Sequence, residues 1–358
     1  MNTQIMKLKT AKIYKRLIKF TSLLFFQIIL TSLTVIATNG KDKFPEVAIP
    51  KAEEWSREQV VLEAGPRGSW DARLYGQISP CTVLKKKGTY FLYYVGADGN
   101  RTTDGGPAHR ALGVATSKDG IHFKKFERNP ILTHQPHDNQ EEGVFSAGSI
   151  LDKNGNILLY FGATLASNSF TESVQCNAGF VTSKDGFHFK NQRYIFTWDE
   201  PRVWGHGDEV SPIGAYKYGD KYNVYYIAKS GQVSWGLGVA IGDSPSKFNL
   251  FNKVQDEKRV IIGGCDPIRI SEDRIAIFMV KDFDTNTIEI MTAPVEHPEK
   301  LSGPVREYPM FRPNYRHTTI YLDRERKIWF MYQSSDQPSN GNKFIVRTAA
   351  MKLVNSEK

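Results

Sequence analysis

Apolar and aromatic residues in this sequence come in short runs bounded by Gly, Asp, Asn and Lys, and no long stretch shows the 3.6-residue period of an amphipathic helix. The runs repeat. Residues 88–97 (GTYFLYYVGA) resemble 155–163 (GNILLYFGA) and 220–228 (DKYNVYYIA), and 273–280 and 326–332 complete the set. A second run follows each of these. Residues 111–123 and 178–189 both carry a Thr-Ser-Lys-Asp-Gly turn that ends in His-Phe, residues 236–243 form a third copy, and 287–293 and 344–350 are degenerate ones. A third run precedes each aromatic run, at 78–83, 145–150, 210–215, 265–270 and 316–320.

The spacing predicts five similar units, each a small antiparallel sheet with an inner strand, an aromatic strand and an outer strand. Glycine in the Lys-Asp-Gly element supplies the positive φ of a tight turn. One such sheet leaves an apolar face uncovered, whereas radial stacking of five covers them all and leaves only short edges. The expected fold is all-β, a five-bladed β-propeller over residues 65–355, with 39–64 as an N-terminal extension. Five like units in series fit a β-sandwich less well.

The first 38 residues depart from this pattern. Six basic residues (Lys7, Lys9, Lys12, Lys15, Arg16 and Lys19) precede an apolar run over 20–37, followed by Thr38, Asn39 and Gly40. This is the layout of a secretory signal peptide, and Ser, Thr and Gln within the run argue against a membrane anchor. A secreted or periplasmic location is expected, with no stable membrane partner after cleavage. Loss of residues 1–38 lowers the formal net charge from +9 to +3, so the basic balance is no sign of a nucleic-acid partner. The three cysteines, Cys81, Cys176 and Cys265, form no C-x-x-C pair and read as small buried residues rather than as a disulfide framework or a zinc site.

In a radial stack the leading ends of the inner strands converge on one face, where binding chemistry collects. Before the first inner strand stand Trp70, Asp71, Arg73, Tyr75 and Gln77. Glu142 precedes the second, Trp204, His206, Asp208 and Glu209 the third, Asp266 the fourth and His317 the fifth. Carboxylates from successive units, accompanied by aromatic side chains, suit sugar chemistry. One carboxyl protonates the leaving oxygen while another activates water or attacks the anomeric carbon, and flat rings pack on the apolar side of a sugar.

Trp70-Asp71 and the segment Asp208-Glu209-Val-Ser-Pro212, set in this repeat, resemble the five-bladed propeller glycoside hydrolases of families 43, 32, 68, 117 and 130. The resemblance implies a glycosidase acting on an oligosaccharide or polysaccharide, with Asp71 as base or nucleophile and Glu209 as general acid. Those families usually carry Arg-Asp-Pro or Asp-Pro at the second inner strand, where this chain has Phe145-Ser-Ala-Gly148, so Glu142 is the candidate third carboxylate. In family 117 a histidine acts as acid, which makes His206 a candidate. In family 43 a histidine placed like His317 helps to hold a central metal ion. No cofactor is required by this reading, and a structural calcium ion on the axis, with His317 as ligand, is the one ion it suggests. Two other readings stay open. A family 130-type phosphorylase would use Arg73, Arg202, Arg312 or Arg316 for phosphate, and a non-catalytic propeller would only bind glycans.

Overall fold

The computed structural model describes residues 44–74, 81–97, 110–133, 143–165, 175–230, 236–255, 266–280, 287–309, 317–334 and 343–354. The chain divides into the units Met1–Pro45 and Glu46–Lys358, and all of the described strands belong to the second. There are 21 of them: β1 (Gln59–Glu63) and five successive groups. The first group is β2 (Arg73–Leu74), β3 (Thr82–Lys86), β4 (Thr89–Ala97), β5 (Arg110–Ser117) and β6 (Lys124–Lys125). The second is β7 (Val144–Leu151), β8 (Ile157–Leu165), β9 (Gln175–Ser183) and β10 (Phe189–Phe196). The third is β11 (Glu209–Tyr218), β12 (Lys221–Lys229), β13 (Gly236–Gly242) and β14 (Leu250–Gln255). The fourth is β15 (Ile268–Arg269), β16 (Arg274–Val280), β17 (Thr287–Pro294) and β18 (Ser302–Pro309). The last is β19 (His317–Asp323), β20 (Ile328–Ser334) and β21 (Lys343–Ala350).

Within each group the strands pair antiparallel in chain order, save that β2 and β3 both pair with β4. The second and third groups join into one eight-stranded sheet through a single parallel pairing, Glu209 with Cys176. The last sheet takes its fourth strand from the other end of the chain, because β1 pairs with β21 from Gln59–Val346 to Glu63–Lys343. The segment 39–64, expected as an extension, thus contributes the outermost strand of the final sheet.

The second strand of each meander is buried on both faces, which is why it reads as a continuous apolar run rather than an alternating one. Alternate residues go to opposite neighbours. In β4, Tyr90, Leu92 and Tyr94 pack with the last meander, whereas Phe91, Tyr93 and Val95 pack with the second. Tyr160 of β8 shares a core with Tyr226 of β12, and Tyr225 of β12 shares the next one with Ile277 of β16. Phe278 of β16 meets Trp329 of β20, with ring centroids 6.0 Å apart. Phe330 of β20 meets Tyr90 of β4 at 5.6 Å, so the series of cores returns to the first meander. At this seam Lys85 of β3 forms a 2.9 Å ion pair with the buried Asp323 of β19, and Arg326 and the Tyr90 hydroxyl join them.

The repeated turn fastens neighbours together. Asp119 accepts the backbone N–H groups of Ile121 and His122, and Asp185 does the same for Phe187 and His188, which leaves both histidines exposed. Gly120 and Gly186 adopt φ of +77° and +89°. Their carbonyls accept hydrogen bonds from Tyr332 and Tyr93, each in the preceding meander. The inner strands are equally close. A Cβ on Gly148 of β7 would stand 2.6 Å from the Cα of Gly214 in β11, and Thr82 of β3 bonds Ser149 of β7 at 2.8 Å.

Removal of residues 1–64 takes away β1 with the buried Val61 and Leu62. Burial of two such side chains stabilises by roughly 3–6 kcal/mol, so a chain beginning at residue 65 should unfold at clearly lower urea than one beginning at residue 46. Equal midpoints would show that β1 does not hold the last sheet.

Candidate functional site

Glu209 is the first residue of β11 and is buried, only 4% exposed. Its main chain is held on both sides, paired with Lys229 of β12 and bridged to Cys176 of β9. The Cys176 N–H donates to the Asp208 carbonyl at 2.9 Å, and the Asp208 N–H donates to the Lys229 carbonyl at 3.0 Å. The Ser211 hydroxyl donates to Oε1 of Glu209 at 2.8 Å and lies 2.9 Å from the Cys176 thiol.

Burial pushes the Glu209 carboxyl up to about 7. The Ser211 hydrogen bond and the charges of Lys229 and Arg110 oppose this rise, and Asp208 adds to it. Arg110 heads β5 in the first meander, and the Gly143 backbone, one residue before β7, lies against its carbonyl. Charges from the first and third meanders therefore act on Glu209. A carboxyl that titrates near neutrality can hold a proton and release it at working pH, as a general acid must.

Several of the other expected residues have partners of their own. Asp71 is buried, and its carboxylate is already engaged. Lys125 of β6 pairs with Oδ2 at 2.6 Å, Ser69 donates to Oδ1 at 3.0 Å, and the Tyr94 hydroxyl donates to Oδ2 at 3.4 Å. Burial, reinforced by the Asp71 charge, holds the Tyr94 phenol well above its usual value. A Cβ at Gly96 would come within 2.6 Å of the Asp71 Cβ, so this carboxylate is seated on the face of the first meander that packs against the last. Asp71, expected as the base, is thus held by an ion pair to an outer strand.

Trp70 is half-buried on Tyr94, ring centroids 5.6 Å apart, and Trp204 packs into the core between the second and third meanders with Lys253 over its ring. Trp204 too is half-buried. His206 is exposed and donates from Nδ1 to the Val203 carbonyl at 3.0 Å. Asp208 is half-buried beside Glu209. Tyr75, Gln77 and Glu142 lie outside the described residues, as do Cys265, Arg312, Arg316 and the side chains of Arg73 and His317. Arg202 bonds Glu200 and the Phe248 carbonyl, on the outer side of the third meander.

Asp266 marks a second buried carboxyl. Its Oδ2 accepts from Thr319 of β19 at 2.8 Å, and burial pushes it up to about 7 against the Thr319 and Thr82 hydroxyls and the Val83 amide. Its Oδ1 is buried and has no hydrogen-bond partner among the described residues. The ligand suggested for a calcium ion on the axis is His317, whose side chain lies outside the described residues. Among the described residues no three His, Cys, Asp or Glu side chains cluster.

Sequence reasoning missed Arg110, Lys229, Ser211 and the placement of Cys176. Ser211 stood in the quoted Asp208–Pro212 segment and was the one available signal. The others gain meaning only once the strands are paired.

In part of its sequence and in its fold the chain is similar to known glycoside hydrolases. Residues 79–205 match the sequence model of the glycosyl hydrolases family 32 N-terminal domain, a stretch that begins after Asp71 and stops short of Glu209. The sucrose-6-phosphate hydrolase of Escherichia coli is 36% identical over 115 residues. That is 29% of this chain, which spans 22% of the length of the relative. The family 117 glycoside hydrolase of Zobellia galactanivorans superposes with a TM-score of 0.54 at 17% identity, over 84% of this chain and 91% of the other. The family 32 β-fructofuranosidase of Bombyx mori does so with a TM-score of 0.54 at 11% identity, over 88% and 66%.

Replacement of Asp71 by Asn strands Lys125 without a counter-charge and should cost about 2 kcal/mol, allowing for the partial exposure of the lysine. Thermal unfolding would show it as a fall of several degrees in Tm. Unchanged stability with abolished turnover would instead mark Asp71 as the base.

Proposed function

We propose that this chain is a secreted glycoside hydrolase, its five meanders the blades of a five-bladed β-propeller, with Glu209 as the general acid. The observation that carries this reading is the buried carboxyl at the head of β11, raised to about 7 while Arg110 and Lys229 face it. Glu209 in its neutral form donates a proton to the glycosidic oxygen as the bond to the anomeric carbon breaks. The two cations then stabilise the carboxylate left behind. The second carboxylate, which activates water or attacks the anomeric carbon, is Glu142. It immediately precedes Gly143, whose backbone abuts Arg110. The cyclic series of shared cores supports the ring of five blades. The basic, apolar N-terminal segment supports export, and carbohydrate is the only class of partner this chemistry requires.

An acid matters most when the leaving group is poor. Glu209→Gln should lower hydrolysis of unactivated oligosaccharides by about 10²- to 10⁴-fold, with far less effect on 2,4-dinitrophenyl glycosides, whose leaving group needs no proton. A screen of both substrate sets with wild type and variant reads this directly. Equal losses on the two sets, or none, would remove Glu209 from that role, and stimulation of cleavage by added phosphate would make the enzyme a phosphorylase.

A further inference from the structure

Glu209, taken as the acid of the proposed hydrolase, has neighbours that nothing so far has given a task. The Cys176 thiol stands 2.9 Å from the Ser211 hydroxyl, which stands 2.8 Å from Oε1 of Glu209. All three are buried, and they cross the seam between the second and third meanders at the point where Glu209 and Cys176 pair. A hydroxyl has a single proton. That of Ser211 goes to Glu209, so the thiol supplies the proton between Cys176 and Ser211. The Asn177 carbonyl, 3.7 Å from the thiol, is a weaker contact.

We propose that Cys176 and Ser211 form a hydrogen-bond relay that positions Glu209 as proton donor, keeping Oε1 as an acceptor and leaving Oε2 to carry the transferred proton. The relay rests on the reading of Glu209 as the acid, and both of its members are positioning residues. Without the thiol, the Ser211 hydroxyl is free to turn its proton away from Glu209. Without the hydroxyl, Oε1 loses its only hydrogen bond among the described residues, and the proton can sit on either oxygen.

The relay also stabilises the carboxylate, since a hydrogen bond to the charged form favours it. The charged groups that face Glu209 are Lys229 from β12, Arg110 from β5 and Asp208 from the preceding turn, and none of them belongs to the relay. Tyr194 of β10 also feels the thiol: burial holds its phenol above its usual value, and Cys176 adds to the rise. Removal of the Ser211 hydroxyl therefore raises the Glu209 pKa while the neighbouring charges stay in place.

Two readouts test this. The first needs no substrate: carboxyl carbon NMR of protein labelled with ¹³C-glutamate, with the Glu209 signal assigned by its loss in Glu209→Gln. The second is the pH profile of kcat and KM on the best-cleaved unactivated oligosaccharide. Ser211→Ala should move the Glu209 titration, and the alkaline limb of the profile with it, upward by about one pH unit, and should lower kcat about tenfold with KM nearly unchanged. Ser211→Thr should restore both. Cys176→Val should shift both in the same direction by less, and Cys176→Ser, which keeps a donor, should match wild type. A merely structural role would lower stability without moving the titration. If Glu209→Gln is inactive yet Ser211→Ala leaves the titration in place, the relay is overturned and the hydrolase reading stands. If Glu209→Gln keeps full activity, that reading fails, and a shifted titration would show only that the hydrogen bonds exist.

Discussion

A four-stranded meander whose second strand is apolar on both faces cannot remain alone in water. Tyr90, Leu92 and Tyr94 on one side of β4, and Phe91, Tyr93 and Val95 on the other, each need a partner surface, and the same holds for β8, β12, β16 and β20. Each sheet must therefore share both faces, and a series of sheets that all share both faces has no free end. The core between Phe330 and Tyr90 and the pairing of β1 with β21 are the two places where that demand is met by distant parts of the chain. Both are contacts of very long sequence separation, and they are the ones a truncated or mispaired chain would lose first.

The site follows from the same demand. Drawing the sheets together brings the inner strands to near contact, with Gly148 against Gly214 and Thr82 bonded to Ser149. Carboxyls at the start of these strands lose their solvent. For Glu209 and Asp266 the result is a carboxyl pushed up to about 7. The two differ in company. Asp266 faces hydroxyls and an amide, which hold it in place, whereas Glu209 faces two cations from different strands and a serine whose proton is directed at it. Burial makes a neutral carboxyl available, and the cations make its ionised form tolerable, so that the group can cycle between the two states.

Much of this architecture was legible because it repeats. The aromatic runs at similar spacing announce a series of antiparallel meanders, and the Lys-Asp-Gly element announces its turn. The docking of Gly120 and Gly186 onto tyrosines of the preceding meander was not legible, because nothing local marks it. Nor was β1, a five-residue strand whose partner lies at the opposite end of the chain. Of the candidate site, the segment holding Glu209 and the pair Trp70-Asp71 stood out in the sequence, but the ion pair of Asp71 with Lys125 in an outer strand did not. Nor did Arg110, an arginine at an unmarked strand head whose charge acts on Glu209 from another meander.

The central claim is that side chains from separate meanders converge on one titrating carboxyl. A double-mutant cycle between Arg110→Gln and Glu209→Gln, read as unfolding free energy at pH 8 and at pH 5, tests it without any substrate. At pH 8 Glu209 is ionised, and the account predicts a favourable coupling of about 1 kcal/mol with Arg110, vanishing at pH 5 where the carboxyl is neutral. Additive effects at both pH values would mean that the two heads do not meet, and the proposed acid would lose the setting that makes it one.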